Sequence, residues 1–353
     1  MRLYFIILIS FCFFACVETP TPPKNNIGDL SEHGAYILCE GLYGQNNSSL
    51  SRYDFEGKIT YNDFFQTINN QYIGDTANDL VLKGDTAFIV VSTQKKIILF
   101  NTKTGKLISE IIINEGKYPR KMAILNDSIL FVTDLYCHCF WVVNHKNYYI
   151  FHKVATGPAP EGTAITEDYI FIANSGLGDY LSLEPMAGTI IVYDISNMNR
   201  IKLMYNLPNV IQLRLSDKNG KLYARYNQLP KFKDSLGGIV EYDIHSLLET
   251  RRWIDRAGQF VLSATGDSLF YLSDYGLKLV NLNNEEPIPE LLIPKNKITD
   301  YWYSIAVYKD ELWIGNAKDY QSNGEILIYD INNPQNLVEK FNVGLNPNTI
   351  VFF

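Results

Sequence analysis

Polar turns and short apolar runs alternate along this chain in one recurring phrase. A turn containing Asn or Pro is followed by a small residue and then by an apolar run, as in Thr76–Leu82, Pro119–Leu125, Pro160–Thr166, Pro208–Arg214 and Trp302–Tyr308. A tight polar turn and a second, strongly apolar run follow each copy, and runs such as Ala87–Val91 and Ile97–Phe100 are dense in β-branched and aromatic residues. That density predicts strands, and no convincing amphipathic helical period interrupts the array. A second mark confirms the count: an aromatic or aliphatic residue followed by Asp or Asn closes a strand at Asp54, Asn101, Asn144, Asp194, Asp243, Asn281 and Asp330. Those marks lie 38–50 residues apart, the spacing of four-stranded blades. The two ends are out of phase with the rest. Asn346–Phe353 supplies a first strand with no second, whereas Tyr36–Glu40 reads as a second strand with no first. A ring closed by pairing those two pieces leaves no open sheet edge. The expected fold is an all-β, seven-bladed β-propeller closed by the C-terminal strand, over residues 34–353.

Ahead of the array, Arg2 is the only charge before the apolar run Leu3–Ala15, which is too short to span a bilayer and suits a signal peptide. The run ends Phe13-Phe14-Ala15-Cys16, and a small residue before Cys is the lipoprotein pattern. Residues 1–15 are therefore expected to be removed, with Cys16 lipidated and several acyl chains anchoring the protein. Residues 16–33 are Pro-rich at their start and read as an extended tether.

Charge excludes some partners. The formal balance is −7 with no basic run, which argues against nucleic acid and against an electrostatic membrane surface. Cysteines are sparse: Cys39, Cys137 and Cys139 remain beside Cys16, so disulfides are not expected to hold the fold. For Cys137-His138-Cys139 three states stand open: thiols, which the sequence favours, a disulfide, and a metal fragment lacking a partner pair. The five His share no spacing, and no Ser-His-Asp order or phosphate loop occurs, so neither a catalytic nor a metal site is expected. Carboxylates at Asp79, Asp134, Glu161, Asp274 and Asp319 fall near the mouth of the ring, where turn capping is their expected duty.

In such a ring the loops joining second to third strands share a face with the loops joining blades. Here the first set is long: Tyr43–Asn47, Asp134–His138, Ser175–Gly188, Tyr226–Gly238 and Ala317–Gly324. The opposite face has turns of two to four residues. Binding residues concentrate on long loops held by a rigid scaffold, which selects Tyr43, Asn47, Arg120, Tyr136, Tyr180, Arg225, Tyr226, Trp302, Tyr303 and Tyr320. Tyr275 and Tyr301 also fall outside strands.

Strands reading Leu130–Asp134, Ile170–Asn174 and Leu312–Asn316 resemble the blades of Tyr-Val-Thr-Asn (YVTN) repeat, YncE-like propellers. The opening Cys39–Asp54, with its Glu-Gly-x-x-Gly-x-Asn-Asn motif at 40–47, is similar to the first blade of exported propeller lipoproteins encoded beside TonB-dependent transporters. Some of those capture cobalamin at the cell surface. The resemblance implies a non-enzymatic protein of the outer membrane, facing the cell surface more than the periplasm. It would need no cofactor, and would capture a scarce nutrient, a corrinoid first, for such a transporter. A lactonase-like or lyase-like enzyme and a protein–protein adapter are the alternatives.

Overall fold

A computed structural model of the protein describes residues 27, 30–232, 234–295 and 300–353. The expected signal peptide, Cys16 and most of the tether lie outside the described residues. Seven four-stranded antiparallel sheets follow one another around an axis. Blade 1 combines Pro347–Phe352 with residues 34–61; blades 2 to 7 span 77–112, 119–155, 160–204, 210–254, 260–294 and 302–342. The seven-bladed, C-terminally closed ring expected from the phrase is what the chain builds. Closure is antiparallel, with Ala35 opposite Phe352 and Ile37 opposite Ile350.

All seven Asp/Asn marks end the third strand of their blade. Their chemistry explains why. Each side chain folds back to accept N–H groups two or three residues ahead, as Asn101 Oδ1 does from Lys103 and Thr104 and Asp243 Oδ1 from His245 and Ser246. This local bond turns the chain into the outer strand and stops the third one. A short helix, Phe64–Asn69, lies between blades 1 and 2 and was not expected. At six residues it is too short to show a period, and it is placed by burying Phe64 and Phe65 against Tyr36 and Phe100.

Blade contacts are apolar outside and polar at the axis. Hydrophobic clusters hold the blades and their junctions together, for instance Phe88, Val90 and Leu99 of blade 2 against Met122, Leu130 and Trp141 of blade 3. Near the axis, side chains bond to the backbone of the next blade. Ser92 Oγ donates to Pro119 O (2.5 Å), Thr133 Oγ1 to Glu161 O (2.8 Å) and Ser304 Oγ to Pro347 O (2.7 Å). Gln212 both donates to and accepts from the Phe260 backbone. Gly162 lets blades 4 and 5 approach closely, since a Cβ there would stand 2.9 Å from Leu213 N.

Candidate functional site

The first strand of each blade begins at the axial mouth on the long-loop face, so the second residue of each strand meets its counterparts there. In six blades these positions carry Asn78, Arg120, Glu161, Ile211, Tyr303 and Asn348; blade 6, whose first strand is only Phe260–Leu262, has Val261 there. Arg120 Nε donates to Glu161 Oε2 at 3.1 Å, and Nη1 donates to Asn78 Oδ1 and lies 4.0 Å from Glu40 Oε1. Burial works against the Arg120 charge, yet Glu161 and Glu40 together raise its pKa above the ordinary arginine value. Tyr303 donates its hydroxyl to Glu40 Oε2 at 2.6 Å, and burial with that carboxylate pushes the phenol well above its usual range. The mouth is therefore a closed polar network in which Glu161 and Glu40 are already engaged.

Below it, a cavity of about 110 Å³ runs along the axis, lined by residues of six blades and by Gln259 at the entry to blade 6. Lys121 and Asp79 pair at 3.6 Å, and Asp79 also accepts the Met122 N–H. Arg214 and Arg225 line the same cavity.

A second feature lies off the axis. Blade 6 joins its second and third strands with only Asp274 and Tyr275, whereas blades 5 and 7 use 227–237 and 317–324. The missing length leaves a cleft of about 650 Å³ between the two long loops. Its walls are Asn227, Gln228 and Pro230 on one side and Tyr301 and Tyr320 on the other, over a floor of Leu272, Ser273 and Gly258. Tyr301 and Tyr320 pack with ring centroids 4.8 Å apart, and Tyr303 meets Tyr320 edge-on at 5.7 Å. Arg256 and Asp274 stand 3.7 Å apart at the rim, and both are exposed. Lys295 also lines the cleft, where burial lowers its pKa.

The sequence-selected residues divide into three groups. Tyr303 and Tyr320 come together beside the cleft, and Arg120 and Arg225 sit at the mouth and in the axial cavity. Tyr43 and Tyr180 are exposed at separate loop tips, and Tyr136 leans on Tyr118. Two have structural employment: Asn47 Oδ1 holds its own loop by accepting Leu42 N–H, and Tyr226 is buried beneath the Arg252 guanidinium. Trp302, 8 % exposed and packed on Tyr329, lines the cleft together with Tyr301 and Tyr320. Of the mouth carboxylates, Asp134 accepts Lys117, Tyr118 and Cys137 N–H groups, and Asp319 caps its turn, which draws its pKa down to about 2. Cys137 and Cys139 form a disulfide, which corrects the preference for thiols. That preference assumed an extended Cys-His-Cys, but His138 takes a left-handed φ of 52° and the chain turns there, bringing the Cα atoms to 5.2 Å. Among the described residues, no three His, Cys, Asp or Glu cluster as a metal site would need.

Sequence reading missed Glu40, Arg214 and the cleft. Aligning the repeated phrase by its second residue would have placed Arg120 beside Glu161, since Pro119 and Pro160 start consecutive blades. Glu40 has no such signal, because its partner Tyr303 is 263 residues away.

A family model described as Domain of unknown function (DUF5074) matches residues 33–340. No curated protein matches the sequence. Among solved structures, a quinonprotein alcohol dehydrogenase-like protein from Bacteroides thetaiotaomicron superposes with a TM-score of 0.69 at 15% identity, covering 90% of this chain and 78% of that one. The periplasmic gluconolactonase of Pseudomonas aeruginosa gives 0.65 at 12%, covering 91% and 99%. A putative 6-phosphogluconolactonase from Bacteroides uniformis gives 0.65 at 13%, covering 92% and 100%. At these identities the likeness is one of fold.

Proposed function

The chain belongs to the DUF5074 family, and from that footing we propose that it is a non-enzymatic capture protein whose ligand sits on the long-loop face, in the cleft above blade 6. The observation that carries this reading is the cleft itself. It has a packed aromatic wall at Tyr301 and Tyr320, a half-apolar floor, and a few charged groups at the rim in Arg256, Asp274 and Lys295. Its volume of about 650 Å³ falls within the range of small-molecule sites, ~300–1,000 Å³. Tyr275, 74 % exposed on the short loop, extends the apolar surface outward. Tyrosine suits this role because it offers large rigid area with a polar tip. In the setting the sequence suggests, Cys16 would tether the propeller to the outer membrane beside a TonB-dependent transporter, and the ligand to test first is a corrinoid.

The rival reading, a lactone hydrolase at the axial mouth, draws on the two lactonases that share the fold. Its acid–base groups would be Glu161 and Glu40, and both are held by partners, Arg120 and Tyr303. Capture is the reading with an open site.

Calorimetric titration of cyanocobalamin into the purified protein tests it. Saturable binding is expected, and Tyr320→Ala should weaken it by ~2 kcal/mol, about thirtyfold. Asp85→Ala on the short-turn face should leave affinity within about twofold. Absence of heat at micromolar protein removes corrinoids; binding that Tyr320→Ala leaves intact removes the cleft.

A further inference from the structure

The axial cavity holds an unbalanced charge. Within it and at its mouth, the described residues place four cations, Arg120, Lys121, Arg214 and Arg225, against three carboxylates. Arg120 takes up Glu161 and Glu40, and Lys121 takes up Asp79. Among the described residues neither remaining arginine reaches a carboxylate at ion-pair distance. Arg225 donates one N–H to Ala257 O at 3.1 Å, and its Nε is buried without a partner. Arg214 lines the lumen with an exposed side chain, and Asp79 acts on it only through space.

Enclosure has a measurable electrostatic consequence. Burial lowers the pKa of both arginines, that of Arg225 to about 10, with Glu161 only partly offsetting the effect. A guanidinium N–H turned from water without an acceptor, as at Arg225 Nε, favours an anion beside it. This protein is acidic overall, at −7, so the positive lumen is not a by-product of general composition. Side-chain amides add neutral donors and acceptors around the cavity, at Gln212, Gln259 and Asn348.

We propose that the axial cavity is a binding site for one small oxyanion, a carboxylate or inorganic phosphate, held between the guanidinium groups of Arg214 and Arg225. Planar guanidinium donors match the paired oxygens of both anions. The volume of about 110 Å³ has room for a small oxyanion of a few heavy atoms together with water. The site stands apart from the cleft above blade 6 and does not depend on the capture reading.

The test is a thermal-shift and calorimetric titration of the purified protein with sodium phosphate, sodium acetate and, at matched ionic strength, sodium chloride. A saturable rise in melting temperature with phosphate or acetate, absent with chloride, is expected, and the arm with the lower half-saturation identifies the anion class. Arg225→Met and Arg214→Met should each weaken binding about tenfold to a hundredfold, whereas Lys83→Met on the short-turn face should leave it unchanged. Should Arg225→Met fail to fold, Arg225→Lys keeps the charge but not the fork, and should still weaken binding by about tenfold. No saturable response to either oxyanion, or a response that survives both arginine substitutions, overturns the proposal.

Discussion

Deleting Asn348–Phe353 should abolish cooperative folding. The lost residues pair with Gly34–Leu38 in a strand whose six residues are all buried, so their removal uncovers an apolar sheet edge with unpaired backbone groups. It also removes Phe353, which stacks on the buried Tyr36 ring at 4.5 Å and lies under the Arg52 guanidinium at 4.7 Å. Arg52 is itself fully buried, and three backbone carbonyls and Tyr36 Oη receive its N–H groups. Ile350 and the partly buried Val351 and Phe352 go as well. Each fully buried side chain of this size is worth ~1.5–3 kcal/mol, so the loss approaches a typical total stability of ~5–15 kcal/mol. Calorimetry of the truncated chain should show aggregation or no cooperative transition. A soluble truncation with the parent melting temperature would mean that the C-terminal strand does not close the ring.

The second large effect is expected at Glu241, in the third strand of blade 5. It is 1 % exposed and accepts from Arg251 Nε at 3.0 Å, Tyr223 Oη at 2.8 Å and Thr250 Oγ1 at 2.6 Å. Glu241→Ala leaves Arg251 without its partner and should cost ~3–5 kcal/mol by denaturant titration. The pH dependence has a definite sign. Burial alone would raise the carboxyl pKa, but Arg251, Thr250 and Tyr223 together bring it below the ordinary 4.5. A group depressed in the folded state stabilises above its unfolded pKa and loses that contribution as pH falls through the folded value. The stability gap between the parent and Glu241→Gln should therefore be full above about pH 4.5 and shrink below it. A gap that stays constant to pH 3 would contradict the pairing.

The fold was legible because its signals are local. The Asp and Asn marks end strands through bonds spanning two or three residues, and the out-of-phase ends at Tyr36 and Phe353 carry the signal for closure in the sequence itself. The site was legible only where position within the repeat decides it, as with Arg120 and Glu161. Burial was not legible: Tyr226 and Trp302 are both strand-end aromatics enclosed by their neighbours, yet Tyr226 lies under Arg252 whereas Trp302 still lines the cleft. The cleft comes from what is missing, since a two-residue loop in blade 6 looks featureless until the longer loops beside it are in place. The disulfide escaped because one residue, His138, leaves the extended conformation.

The central claim is that ligand binding belongs to the cleft over blade 6 on the long-loop face. Amide hydrogen exchange with and without saturating cyanocobalamin tests it most directly. Slower exchange is predicted in 227–237, 274–275, 300–303 and 317–324, with the turns at 83–86, 126–128 and 265–268 unchanged. Saturated binding that protects those short turns, or any other part of the ring, and leaves the four loop segments unprotected would contradict it.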